Sequence, residues 1–278
     1  MIEKTNNADT QPSVSSDPWQ ELKRFTQARI ALGRSGTSMP TKEVLDFSLA
    51  HAMARDAVHL ALDADALEAA IQAQGFATVQ VHSRAPDRAS YLLRPDWGRS
   101  LDEASLSKLI DNKNAGKASN VANAPIDFLM VVGDGLSSLA VSRHAQPLLE
   151  EIRNALPSDW TVGPVVIARQ ARVAIADEIG EALGASIVVM LIGERPGLSS
   201  PDSLGIYLTH APRHGCSDAD RNCISNVRPD GLSYAAAAKK LIWLAKEAHR
   251  LKLSGVALKD ESDIQDIGLE TTRSLTQR

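Results

Sequence analysis

Cysteine is nearly missing: Cys216 and Cys223 are the only two in 278 residues. Two cannot build a disulfide framework in so long a chain, which agrees with a reducing compartment. A net positive charge is also missing. The formal balance is −4 at neutral pH, which gives no broad attraction for nucleic acid or an anionic membrane surface. No apolar run approaches the roughly 18 to 20 residues needed to span a bilayer, and the first residues lack a basic segment followed by an apolar one. A soluble, unexported protein is expected, with neither membrane nor nucleic acid as partner. Neither a G-x-S-x-G elbow nor an H-E-x-x-H helix occurs, so no activated serine or helical zinc pair is signalled. There is no internal repeat.

What is present is enough apolar residue, 44%, for one large or two medium domains. Residues 1–17, MIEKTNNADTQPSVSSD, are polar and aperiodic and are expected to form a flexible tail. Residues 18–124 are expected to be a mainly helical, partner-contacting domain. In it, Leu22, Phe25, Ala28 and Leu32 predict a helix from near Pro18 to Gly33, and a second, Ala-rich helix follows from about Thr41 to Asp63. That helix carries His51, Arg55 and His59 in one row, read as a solvated face or a subunit contact. Residues 64–75 predict a short helix and 77–83 a strand. Arg84, Arg88, Arg94 and Arg99 then alternate with Tyr91, Pro95 and Trp97. Without a base-stacking sheet signature, that stretch suits a protein interface or internal ion pairs better than nucleic acid. DNKNAGKASNVANA, 111–124, lacks amphipathicity and marks the expected boundary.

From 125 to 278 strands and helices alternate, predicting a small doubly wound, Rossmann-like domain with a mostly parallel sheet; the fold class is α/β. Its strands are expected at 127–132, 165–168, 187–192 and 205–209, and its helices at 136–156, 174–183 and 232–251. The segment from Ile187 to Ile192 is an unbroken aliphatic run, as a strand buried on both faces requires. It ends at Gly193, where Glu194, Arg195 and Pro196 turn the chain. The strand-end loops 133–137, 169–173 and 193–196 should meet at one crevice.

Two ligand signals stand in this half. Gly133-Asp134-Gly135 follows a strand and opens a helix, as in dinucleotide sites, but Ser138 replaces the third glycine and Asp134 would repel a pyrophosphate. The alternative is that the glycines only permit tight turns. His210, His214, Cys216 and Cys223 lie close in sequence, but their spacing does not reproduce paired zinc knuckles; no metal site is assigned.

The string VAIADEIGEALGASIVVMLIGERPGLSSPDSLGIYLTHAPRHGCSDADRNCISNVRPDGLSYAAAAKKL closely resembles the small subunit of ethanolamine ammonia-lyase. So do FTQARIALGRSGTSMPTKEVLDFSLAHAMARDAVH and DRASYLLRPDWGRSL; these stretches lie between Phe25 and Leu241, and the resemblance as a whole covers about residues 20 to 260. The resemblance implies an adenosylcobalamin-dependent enzyme that converts ethanolamine to acetaldehyde and ammonia, with substrate and radical chemistry on a large barrel subunit. It implies an assembly of six large and six small chains in the bacterial cytoplasm, with packaging in an ethanolamine-utilisation microcompartment as a further expectation.

By the same resemblance, the corrin contacts are Val173 in ARVAIADE, Glu194 in LIGERPGL and Cys223 in RNCISN, with Gly193 and Arg195 shaping the loop. Val173 offers apolar contact, Glu194 accepts from a carboxamide N–H, and Cys223 tolerates close approach. Ordinary core and surface roles for the three remain the competing reading. D-x-H-x-x-G, which supplies a cobalt-ligating histidine in another cobalamin class, is absent, so base-on binding is expected. No catalytic acid or base is assigned to this chain. The alternatives are a noncatalytic scaffold that positions the large subunit without touching cofactor, and a nicotinamide-binding Rossmann protein.

Overall fold

Four strands, Thr78–His82 (β1), Ile126–Gly133 (β2), Val165–Arg169 (β3) and Ala185–Gly193 (β4), run parallel in the order β1-β3-β2-β4. Two more, Leu204–His210 (β5) and Arg221–Val227 (β6), extend the sheet beyond β4 in antiparallel pairing. These coordinates, a computed structural model, describe residues 18–26, 28–118 and 125–262. The expected flexible tail (1–17), residues 119–124 at the expected boundary, and residues 263–278 lie outside the described residues.

The sheet is thus mixed, and the expectation of a mostly parallel one holds only for its first four strands. The expected strand at 205–209 is β5, which returns antiparallel to β4, with Ile192 opposite Gly205 and Val189 opposite Leu208. The connection from β4 to β5 has no helix long enough for a crossover, so a return beside the preceding strand is the geometry open to it. β6 carries Cys223 in a stretch where the sequence predicts no strand. It is an edge strand whose buried residues, Arg221, Ile224 and Val227, alternate irregularly with exposed ones, so its period-2 signal is weak. β1 also belongs to this sheet, although it lies in the half expected to be mainly helical.

Helices cover both faces. Ala64–Ala73 (α2), Ser138–Ala155 (α5) and Tyr234–Leu251 (α7) pack on one face through Ile71, Val141, Leu148, Ile152, Leu241 and Ala245. Glu103–Ala118 (α4) and Ile175–Leu183 (α6) pack on the other through Leu109, Ile175 and Ile179. β2 and β4 alternate their side chains between these layers, Phe128, Met130 and Val132 to one and Leu129 and Val131 to the other. That two-sided burial is why both strands read as continuous apolar runs. α4 extends across part of the segment expected to be a boundary; only Ser105 and Leu109 among its described side chains are buried, which explains its missing amphipathic signature.

The chain contacts divide the molecule into two units, Met1–Arg55 with Gly197–Ser200, and Asp56–Pro196 with Pro201–Arg278. The first contains a 3-10 helix, Pro18–Arg24, and most of the helix Thr41–His59 (α1). The helix expected from Pro18 to Gly33 stops at Arg24, and Leu22 and Phe25 are exposed. An apolar stripe without a packing partner does not sustain a helix of that length in water. α1 buries only Ala57, and His51, Arg55 and His59 are all exposed along it. Among the described residues no helix is long and apolar enough to cross a membrane.

The second unit has a buried histidine with a pH consequence. His144 in α5 is 5% exposed; its Nδ1 lies 2.8 Å from the Tyr234 hydroxyl and its Nε2 lies 3.5 Å from Asp202. Burial outweighs the Asp202 carboxylate and lowers its pKa below 6.5. The unfolded chain therefore takes up this proton first, so the contribution is intact above the unfolded pKa and is lost as pH falls through 6.5 toward the depressed folded value. Urea midpoints at pH 7.5 and pH 5 (about one and a half units below 6.5) should fall less in His144→Gln than in the parent; an equal fall would rule this out.

Candidate functional site

The order of the sheet creates a crevice. From β2 the chain crosses through α5 to β3 on one side, and from β3 it crosses back through α6 to β4 on the other, so the winding reverses between β2 and β4. Ligands of open α/β sheets bind at the carboxyl ends of the strands flanking such a reversal. A cleft of about 420 Å³ lies there, lined among others by Gly135, Leu136, Val173, Gly193, Glu194 and Arg195.

The strand ends are joined by backbone. Leu136 N donates to Gly193 O at 3.0 Å. A Cβ on Gly193 would stand 2.0 Å from Ser137 O, and one on Gly135, at φ +58°, 2.2 Å from Gly193 O. The glycines of the Gly-Asp-Gly turn therefore serve the close approach of β2 to β4. Ser137 fixes the next step: its Oγ accepts from Ala140 N at 3.2 Å, capping α5, and donates to Pro201 O at 2.8 Å.

Asp134 is turned inward. Its carboxylate accepts from Gln170 N at 2.9 Å and Ala171 N at 2.8 Å, and lies 3.6 Å from Arg88. Burial pushes this carboxyl up, against the pull of those N–H groups and Arg88. Asp134 thus ties the loop after β2 to the loop after β3, where Gln170 takes a left-handed φ of 52°. Arg88 also donates to Gly135 O at 2.8 Å and to Val58 O at 2.7 Å. Of the protein interface or internal ion pairs expected of the 84–99 stretch, Arg88–Asp134 is an internal pair, whereas Arg94–Asp96, at 2.6 Å, is exposed.

Four of the five sequence-expected contacts share the cleft. Val173, half-buried, precedes α6; Gly193 closes β4; Arg195 is exposed. Glu194 is half-buried, and its Oε2 accepts from Ser203 Oγ at 2.7 Å and from Asn226 N at 3.2 Å. Its Oε1 takes no hydrogen bond among the described residues and lies where a Cβ on Gly205 would come within 3.1 Å. Cys223 is outside the lining. It sits exposed on β6, directly across from Tyr207 of β5, which does line the cleft. Desolvation of its sulfur against the sheet pushes the Cys223 thiol up, offset in part by a hydrogen bond with Tyr207 and reinforced by the Glu194 carboxylate, so it presents a neutral S–H rather than a thiolate.

The sequence did not single out Tyr207, Tyr91 or Arg172 as lining residues. Tyr207 stands in the alternating run GIYL, where one aromatic at a strand end was the available signal. Arg172 lies in the expected strand-end loop, immediately before Val173. Tyr91 is held by Ala171 O, which accepts from its hydroxyl at 3.0 Å across eighty positions of sequence, a distance that no local pattern discloses. The other soft-ligand candidates do not assemble: among the described residues no group of three or more His, Cys, Asp or Glu side chains could hold a metal ion.

Comparison with known proteins gives one consistent family. The model described as "Ethanolamine ammonia-lyase light chain (EutC)" matches residues 16–259. A protein of Ralstonia nicotianae named ethanolamine ammonia-lyase small subunit is 54% identical over 257 residues, covering 92% of this chain and 93% of its own. A namesake from Pseudomonas syringae pv. tomato is 52% identical over 268 residues, 96% of this chain and 91% of its own. One from Pseudomonas aeruginosa is 54% identical over 265 residues, 95% of each.

Proposed function

The chain belongs to the ethanolamine ammonia-lyase light-chain family, and from that membership we propose that its strand-end cleft holds one face of adenosylcobalamin against a large partner subunit. The observation that carries this is the convergence of Val173, Gly193, Glu194 and Arg195 at the winding reversal between β2 and β4. The three-layer unit around that reversal is read as Rossmann-like, which accounts for the placing of the site.

The residues fit the group. A pocket that encloses a drug-sized ligand measures about 300–1,000 Å³. A cleft of about 420 Å³ is too small to enclose a corrin, which is larger than a drug, and suits covering one side of it while a partner covers the rest. Its walls combine the apolar Leu136, Val173 and Ile192 with an acceptor in Glu194 and a donor in Arg195. That pairing matches a flat macrocycle fringed with carboxamides. Arg172 Nε is buried without a hydrogen-bond partner, a donor that a bound ligand can satisfy.

When bound, adenosylcobalamin supplies a cobalt–carbon bond whose homolysis starts the conversion of ethanolamine to acetaldehyde and ammonia. Everything this chain contributes is positional. Val173 gives apolar contact and helps exclude water, Glu194 Oε1 accepts from a carboxamide N–H, and the neutral Cys223 allows close approach beside Tyr207. No acid or base on this chain is assigned to the reaction, and substrate belongs to the large subunit. This chain carries no cobalt-ligating histidine motif, so the cofactor would be held base-on as far as this chain is concerned. Assembly from six large and six small chains, in the bacterial cytoplasm or within a microcompartment, completes the proposal on family grounds.

One observation favours a purely structural role for Glu194: its Oε2 already braces Ser203 and Asn226. Reconstitution separates the two. The chain alone should show no lyase activity, and assembled enzyme carrying Glu194→Ala should bind hydroxocobalamin about tenfold more weakly by absorbance titration, the loss of one charge-assisted hydrogen bond. Activity without a large subunit, or unchanged affinity in the variant, would count against this reading.

A further inference from the structure

Arg172 is held firmly in place, yet its charge is unanswered. Its guanidinium lies 4.2 Å from the centroid of the buried Tyr91 ring, and its Nη2 donates to Tyr91 O at 3.3 Å. Its backbone N donates to Gly98 O at 2.7 Å, and its Cγ occupies space that Gly98 leaves, since a Cβ there would come within 2.8 Å. The same ring lies 4.6 Å from Arg88, but Arg88 is neutralised by Asp134. Among the described residues no carboxylate stands within ion-pair distance of Arg172, and its buried Nε has no hydrogen-bond partner. A cation fixed at a cleft wall without a counter-charge is what an anion subsite requires.

The cleft as a whole agrees. Its charged lining is Arg172 and Arg195 against Glu194, two positive charges to one negative and so a formal +1. The corrin rim carries neutral carboxamides and the ring's own negative charge is neutralised at cobalt, so the peripheral anion of cobalamin is the phosphodiester of its nucleotide loop, which hangs from the face opposite the adenosyl group. With substrate on the large subunit, the adenosyl face must turn toward that partner, so the nucleotide face turns toward this chain.

Resting on the cofactor reading above, we propose that Arg172 binds the phosphodiester of the nucleotide loop. Glu194 then takes a carboxamide N–H, and the pair fixes the rotation of the corrin in the cleft. The guanidinium suits this better than an ammonium, because its planar donors can engage two phosphate oxygens while the ring beneath keeps it in place.

The test is absorbance titration of enzyme assembled with the large subunit, using cyanocobalamin and dicyanocobinamide. The second keeps the corrin and its carboxamides but lacks the nucleotide loop. Arg172→Gln should weaken cyanocobalamin about ten- to hundredfold, as expected for a lost charge-assisted contact, and leave cobinamide affinity unchanged. Arg172→Lys, which keeps the charge and perturbs folding less, should fall between parent and Arg172→Gln for cyanocobalamin. Unchanged cobinamide binding also shows that the variant cleft is folded. Equal weakening of both corrinoids would overturn the proposal and leave Arg172 a prop for Tyr91; so would no change for either. Failure of the parent enzyme to bind either corrinoid is a different result and would overturn the cofactor reading itself.

Discussion

Gly193→Ala is expected to cost the fold about 3 kcal/mol or more, the upper range for forcing atoms into filled space. The added methyl would stand 2.0 Å from Ser137 O and 2.6 Å from Asp134 O. Both are backbone atoms, so no rotamer change relieves the clash. The turn that would have to move is held at three points: Leu136 N on Gly193 O, Asp134 on Gln170 N and Ala171 N, and Ser137 Oγ on Pro201 O. Strain introduced at Gly193 therefore spreads into all the strand-end loops that shape the cleft. A thermal midpoint lowered by roughly 6–12 °C should accompany it, together with, on the proposed function, weaker cobalamin binding in the assembled enzyme.

Gly75→Ala gives the contrast. Gly75 has φ +87° with nothing within 4 Å of an added Cβ, so it meets only the left-handed backbone penalty, about 1 kcal/mol. Urea unfolding of both variants measures the difference. A cost for Gly193→Ala no greater than for Gly75→Ala would mean that the strand ends part easily, and that the cleft is not held by this contact.

The parts legible in sequence are those whose surroundings are uniform. β2 and β4 are buried on both faces, so their composition alone marks them, and the strand-end loops that follow were correctly placed together. α5 and α7 pack one stripe each on the sheet and show it as helical periodicity. β6 and α4 touch the core at few positions, and the polar residues between those positions dilute the pattern. The direction of β5 was not legible because its composition is the same in either orientation; the short connection after Pro196 decides it.

The site divides in the same way. Val173, Glu194 and Cys223 came from resemblance to a family, whereas composition and spacing reached only as far as a crevice with glycines. Arg88, Tyr91 and Arg172 are joined to their partners across gaps of tens of residues, through backbone carbonyls that carry no side-chain signature. Asp134 shows the limit most clearly. Its sequence context suggested a charge facing a ligand, and its actual partners are two backbone N–H groups in a loop more than thirty positions away.

Asp177→Ala is the other substitution expected to be severe, at about 3–5 kcal/mol, because it strands a buried guanidinium. Asp177 lies in the first turn of α6 and is 2% exposed; Arg221, which begins β6, is 6% exposed and meets it through Nη2. Arg221 also donates to Cys216 O at 3.0 Å and to Asp218 at 2.8 Å, and its Nε has no partner. Asp218 is on the surface, where water screens it, so it cannot replace Asp177 as a counter-charge. Removing both groups together should therefore cost less than removing Asp177 alone. Asp177→Ala with Arg221→Met, compared with each single variant by urea unfolding, measures that coupling. The damage should also reach the strand-end cleft, since α6 begins two residues after Val173 and its first turn loses its anchor to the edge strand that carries Cys223. A loss below about 1 kcal/mol for Asp177→Ala, within the range of an exposed pair, would show that water reaches Arg221 and that this ion pair does not hold α6 to the sheet.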